Sequence, residues 1–260
     1  MRETNFEIIE GNPQSTVVLH VPHSSREIPD DIRSQLLLSD GELELELDEM
    51  TDTRTDLLAD KAAGAAGIRP WIFRNKLSRL VIDPERFPDE REPMNDVGMG
   101  AVYLKTSSGK KLRDIDTERD LRLIEGHFHP YANSLALLIR QVLTANNQVT
   151  IIDVHSYRIR EHTNSINKGQ RRPPVCIGVD SFHTPQWLRN LAITSFTSLG
   201  EHVINEPYAG TYVPLPFYER EPRVTSVMME NREDVIFGER IDSAARALTA
   251  LIDGIEQREK

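Results

Sequence analysis

The sequence predicts an α/β fold, a sheet covered by helices. Short β-branched apolar runs alternate with segments of helical period, and polar residues of catalytic type stand at the ends of those runs. Val149-Thr150-Ile151-Ile152-Asp153-Val154-His155-Ser156 is the clearest run. It reads as a buried strand, and ligands of open α/β sheets collect at strand carboxyl ends. Thr16-Val17-Val18-Leu19-His20-Val21-Pro22-His23-Ser24-Ser25 has the same character near the N-terminus. Strands alternating with helices give a layered α/β domain.

In chain order, strands are expected at 16–21, 69–73, 79–83, 149–154, 174–179, 201–204 and 223–229. Pro29-Asp30-Asp31 opens a short helix with acids in its first turn, where they meet the positive end of the helix dipole. A second helix is expected over 51–63, ending near Gly64. The longest spans 117–145: Leu121, Leu123, Ile124, Leu135, Leu137, Leu138, Val142 and Leu143 recur near helical spacing. Pro130 lacks an N–H and should kink or divide it. Thr184-Pro185 reads as a hydroxyl cap before a first-turn proline, starting a helix that ends at Leu199-Gly200. The last helix, 239–257, carries Ile241, Ala245, Leu248, Leu251 and Ile252 on one side. Region 84–111 is rich in Pro, Gly, Asp and Ser, long for a connector, and a candidate border of an active site.

The chain of 260 residues has 41 acidic and 31 basic side chains, a formal net charge of −10. That argues against nucleic acid or an anionic membrane as partner. A small anionic substrate remains compatible, because a few arginines reverse the field inside a cleft. The one cysteine, Cys176, allows no intramolecular disulfide. Within Val175-Cys176-Ile177-Gly178 it reads as a small buried hydrophobe rather than a nucleophile. Residues 1–7 contain no apolar signal core, and no run approaches the roughly 20 apolar residues of a membrane span, so the cytoplasm is the expected address. No internal repeat, low-complexity tract or Gly/Ser linker divides the chain, so one domain over 1–260 is expected.

Two strand-end histidines, His23 and His155, suggest a shared metal site; singly, each reads as a hydrogen-bonding residue at a strand end. Hydrolytic zinc sites use three His or Asp/Glu ligands and leave a position for water. The stretch Asp48-Glu49-Met50-Thr51-Asp52-Thr53-Arg54-Thr55-Asp56 offers carboxylates, most of them expected to be helix N-terminal charges. Glu230 ends the apolar run Val227-Met228-Met229, a costly place for a carboxylate. It is a candidate general base, or else the ion-pair partner of Arg232. Arg79 and Arg86 flank Leu80-Val81-Ile82-Asp83; they either meet a carboxylate or oxyanion, or form surface pairs with Asp83 or Glu85.

Together these elements resemble the N-formylglutamate amidohydrolase family. The resemblance rests on Val21-Pro22-His23-Ser24-Ser25, Thr51-Asp52 with Asp56, Ser78 to Arg86, Ile152-Asp153-Val154-His155-Ser156, Asn205-Glu206-Pro207-Tyr208-Ala209-Gly210-Thr211-Tyr212 and Met229-Glu230-Asn231-Arg232. It implies a zinc-exopeptidase-like fold, a single domain with a mixed β-sheet flanked by helices and one zinc. It also implies His23, His155 and Asp52 as metal ligands, with Asp56 competing for the carboxylate place. Glu230 would be base and proton shuttle, and Arg79 a catalytic partner of the oxyanion. Arg86, Tyr212, Gly210 and Ser156 would meet substrate, with Gly210 allowing close backbone approach. The implied reaction is hydrolysis of an N-formyl or N-acyl acidic amino acid, N-formyl-L-glutamate first. The alternatives are a zinc amidase or peptidase on another small amide, and a non-catalytic protein that binds metal or an anion. The chain has Thr53-Arg54 where many members carry Trp-His, and Pro84-Glu85-Arg86 where many carry Leu-Asn-Arg.

Overall fold

A computed structural model describes residues 4–258; residues 1–3, part of the stretch read above for a signal core, lie outside the described residues. Seven strands form one sheet: β1 (Phe6–Ile9), β2 (Val17–Val21), β3 (Trp71–Asn75), β4 (Val149–Tyr157), β5 (Val175–Gly178), β6 (His202–Ile204) and β7 (Val224–Arg232). Their order is β1-β3-β2-β4-β7-β5-β6. The β1/β3 and β5/β7 pairs are antiparallel and the others parallel, so the sheet is mixed. The three runs that end in candidate site residues are its contiguous parallel centre, β2-β4-β7.

Strand parity assigns the two faces. Val17, Leu19 and Val21 of β2, Ile152 and Val154 of β4, and Val227 and Met229 of β7 share one apolar cluster. Helices α3 (Thr55–Ala65), α6 (Gln186–Phe196) and α7 (Arg240–Arg258) cover it with Leu58, Ala62, Leu188, Phe196, Leu248 and Leu251. The opposite face packs Val18 and Ile151 against Tyr131, Leu135 and Ile139 of α5 (His129–Asn146). Each large aliphatic side chain buried here stabilises by roughly 1.5–3 kcal/mol. Asp153 and His155 alternate with Ile152 and Val154, so they emerge on the α5 face at the carboxyl end of the strand.

Several expectations are corrected. Residues 79–83 form a turn, not a strand, because Arg79 folds back onto Asp83. Helix α2 (Asp40–Met50) was not anticipated, although Ser39 and Glu42 make a full capping box at its start. Edge strand β1 was missed as well. The expected 51–63 helix begins only at Thr55, after Arg54 adopts φ 67°. The long helix divides as Pro130 requires: α4 (Thr117–Leu123) passes through a π-helical turn at Ile124–Phe128 into α5. Leu121 and Leu137 face solvent rather than the core. Pro185, not Thr184, occupies the cap position of α6; the Thr184 hydroxyl donates to Ser226 O. The first helix, α1 (Asp30–Arg33), lies where Pro29 starts it.

Candidate active site

The carboxyl ends of β2, β4 and β7 open into a cavity of about 760 Å³. His23 follows β2, His155 lies on β4, and Glu230 is its register partner on β7. Asp52, in the link between α2 and α3, reaches across to them. Its Oδ2 accepts from His155 Nδ1 at 2.9 Å and from the Ser156 backbone at 3.2 Å, and lies 3.8 Å from His23 Nδ1. His23, Asp52 and His155 are buried and each offers a ligand atom within 4.8 Å of the others, a set able to hold a metal ion. Asp56 lies outside this group; its carboxylate accepts from the next backbone N–H, an ordinary first-turn role.

Buried acids back the two candidate ligand rings. His23 Nε2 donates to Asp83 Oδ1 at 2.9 Å, while Asp153 Oδ1 lies 3.1 Å from His155 Nε2. Outer carboxylates of this kind fix the orientation and tautomer of metal-binding imidazoles. Asp153 Oδ1 also accepts from His20 Nδ1 at 2.9 Å, and His20 Nε2 meets the Tyr131 hydroxyl at 2.7 Å. Both nitrogens of His20 are therefore occupied. Asp83, Asp153, His20 and Glu85 were not identified from the sequence as parts of the site. The two-residue spacing of Asp153 and His155, which puts both on one strand face, was the available signal for Asp153.

Five carboxylates, Asp52, Asp83, Glu85, Glu92 and Asp153, face two guanidiniums, Arg79 and Arg86. With neutral imidazoles the cluster carries an excess of negative charge, which favours a bound cation. His23 Nδ1 and Glu230 Oε2 are buried without hydrogen-bond partners. The donor set thus fits a metal. Without one, protons offset the excess. Burial and Arg79 oppose a proton on His23, but Asp83, Glu85 and Asp52 outweigh them and raise its pKa. Burial likewise opposes a proton on His155, yet Glu85, Asp153 and Asp52 hold its pKa well above the usual value. Burial pushes Glu230 up to about 8, against the pull of His155 and Arg79.

Arg79 and Arg86 both line the cavity and are not surface arginines. Arg79 donates to Asp83 Oδ2 from Nη2 at 2.7 Å and from Nε at 3.1 Å, which leaves Nη1 3.6 Å from Asp52 Oδ1. Arg86 Nε is 3.5 Å from Asp83 and has no hydrogen-bond partner. Carboxylates outnumber guanidiniums around the cavity as a whole. Arg232 pairs with Asp234 at 2.7 Å rather than with Glu230, so the ion-pair reading of Glu230 fails. Ser156, Gly210 and Tyr212 also line the cavity. The Tyr212 N–H donates to Asp153 Oδ2 at 3.2 Å, and its ring lies 4.8 Å from that of His20. Gly210 is needed for its φ of 86°; the close approach belongs to Gly178, where an added Cβ would sit 2.1 Å from Gly210 O. Cys176 is buried, and burial pushes its thiol up to about 12. Among the described residues, no helix is long and apolar enough to cross a membrane.

The sequence matches the N-formylglutamate amidohydrolase family over residues 15–237. A search of curated proteins gives no match. The fold is similar to a crystal structure of N-formylglutamate amidohydrolase from Ralstonia eutropha, with TM-score 0.78, 18% identity and 98% of each chain covered. It is also similar to a gene product of Agrobacterium tumefaciens, with TM-score 0.74, 18% identity, and 98% of this chain and 96% of that one covered. A match over most of the chain, carried on the fold those structures share, identifies this protein as an amide hydrolase that belongs to the N-formylglutamate amidohydrolase family.

Proposed function

We propose that this protein hydrolyses the amide of an N-formyl or N-acyl acidic amino acid, with N-formyl-L-glutamate the first candidate, using one zinc ion. The observation that carries the reading is the meeting of His23, Asp52 and His155 beside Glu230, whose buried Oε2 has no partner. His23, Asp52 and His155 hold the ion. When bound, zinc supplies Lewis-acid activation of water and of the scissile carbonyl. Glu230 takes a proton from the attacking water as the new C–O bond forms. It returns that proton to the nitrogen as the C–N bond breaks, releasing the acid and the free amine. Arg79, held rigid by Asp83 and Tyr103, directs Nη1 at negative charge developing on the carbonyl oxygen. Arg86, which lines the cavity and pairs only loosely with Asp83 at 3.5 Å and Glu92 at 4.0 Å, receives a substrate carboxylate; Ser156, Gly210 and Tyr212 border the pocket. No acyl-enzyme is expected: the one thiol is buried, and the Ser25 and Ser156 hydroxyls donate to backbone carbonyls of Lys76 and Thr53 rather than to a base.

The test is formate release from N-formyl-L-glutamate by zinc-loaded protein, compared with N-formyl derivatives of neutral amino acids. Zinc binding without turnover of any N-acyl amino acid would favour the non-catalytic reading. Arg86→Met should raise KM for the dicarboxylate roughly tenfold or more, the scale of one charge-assisted hydrogen bond, and change kcat little. An unchanged kcat/KM would return Arg86 to a structural role.

Metal binding should release protons. His23 and His155 both have raised pKa values in the metal-free protein, so both are charged near pH 6 and must deprotonate to ligate. Zinc affinity is therefore expected to fall as pH falls. Titration of weakly buffered protein at pH 6 should show more than about one proton released per ion; no release would place the metal elsewhere.

A further inference from the structure

The cavity at the proposed metal centre holds about 760 Å³, inside the roughly 300–1,000 Å³ range of pockets that enclose drug-sized molecules. At roughly 30 Å³ per water-sized group, an upper bound for bonded atoms, the dozen or so non-hydrogen atoms of an N-formyl acidic amino acid fill at most about half of that space. The remaining space has an apolar wall. Arg86 pairs with Asp83, the acid that grips His23, and so lies on the β2 side of the centre. Met228 lies on the β7 side, two residues before Glu230 and on the same strand face, while Val227 and Met229 point into the opposite core. Val213, Leu215 and Pro216 of the segment before β7, and Ala132 of α5, line the cavity with Met228. None of these five side chains carries an N–H or O–H, so water against them lacks donors there. The excess of carboxylates over guanidiniums also disfavours a further anionic group in the cavity. A neutral, apolar occupant is what both observations select.

We propose that the acyl group removed at this site is large and apolar, a medium-length alkyl chain or an aryl group, with formyl the short limit of the series. This rests on the reading above of the substrate as an N-acyl acidic amino acid. With a substrate carboxylate on Arg86 and the scissile carbonyl at the metal, the amine half lies toward β2 and the acyl half is directed at Met228. Each methylene moved from water onto such a wall favours binding by roughly fourfold. Met228, Leu215 and Ala132 therefore set acyl-chain preference, whereas Arg86 sets the preference for an acidic amine half.

The experiment measures kcat/KM of zinc-loaded, full-length protein on N-formyl-, N-acetyl-, N-butanoyl- and N-hexanoyl-L-glutamate. Acetyl is the reference for chain length, because formyl amides are intrinsically more electrophilic. From acetyl to hexanoyl the value should rise at least about tenfold, a fraction of what the added methylenes supply at roughly fourfold each. Ala132→Trp fills the lobe, and Leu215→Gln makes its wall polar at a position already 40% exposed, where the fold tolerates it. Each should cut the hexanoyl-to-acetyl ratio at least about threefold, near the value of one methylene; a purely structural role lowers both substrates together and leaves the ratio unchanged. Calorimetry with N-methyl- and N-hexyl-L-glutamate, which have no scissile carbonyl, reads the same lobe without turnover, and the hexyl compound should bind at least about tenfold more tightly. A series that is flat or falls toward hexanoyl, in an enzyme that cleaves N-formyl-L-glutamate, would overturn the proposal and leave that substrate standing. An N-formylglutamyl peptide cleaved faster than N-hexanoyl-L-glutamate would put the extra volume on the amine side and overturn it as well. Tighter binding of the hexyl compound with no turnover of any of these amides would support the apolar lobe and sink the substrate reading itself.

Discussion

His155→Ala and His23→Ala should each cost more than about 100-fold in zinc affinity, beyond the 10–100-fold scale of outer partners, and abolish amide hydrolysis. The reason is geometric. His155 is fixed by its place on β4 and by Asp52 at 2.9 Å, and His23 by Asp83 at 2.9 Å, so no neighbouring side chain replaces either nitrogen. Asp52→Ala should lose metal, whereas Asp56→Ala, whose carboxylate serves its own helix, should not. Metal analysis of the purified variants is the check. Full occupancy in both histidine variants would show that the ion is held elsewhere. The reverse result for the two aspartates would misassign only the acid.

Glu230→Gln is expected to keep zinc and the fold while losing roughly 10²-fold or more in kcat, the scale of a general base. Glutamine fills the same space and accepts a hydrogen bond but cannot carry the proton from water to the leaving nitrogen. Wild-type turnover would remove Glu230 from the mechanism. The metal-free variant supplies a second readout. Burial raises the Glu230 pKa from 4.5 to about 8, so the wild type keeps its full stability at this position only below the unfolded value and loses it as pH rises through about 8. Glutamine does not titrate. The stability of Glu230→Gln relative to wild type should therefore increase between pH 5 and pH 9 in urea denaturation of metal-free protein. A pH-independent difference would mean that Glu230 is already ionised in the fold.

The sequence by itself determined the three central strands and the candidate site residues at their ends. The runs 16–21, 149–154 and 223–229 announce themselves because parallel strands buried on both faces are predominantly apolar. A histidine or glutamate at the end of such a run is conspicuous, and this made His23, His155 and Glu230 legible. Pro130 marked the break in the long helix for an equally local reason. Tertiary structure decided what depends on pairing across the chain. Choosing between Asp52 and Asp56 required the path of the link between α2 and α3, which four intervening residues do not encode. The grip of Asp83 on His23 spans 60 positions, and that of Asp153 on His20 spans 133. Residues 79–83 have strand-like composition but form a turn, since one buried carboxylate binding Arg79, His23 and Tyr103 outweighs local propensity. Glu85 looked like a surface acid for the same reason. Only when the turn after Asp83 is laid against β2 and β4 does its carboxylate come within 3.5 Å of two histidines. Periodicity reports which face a residue takes, but the partners of a buried charge are set by how distant segments close on one another.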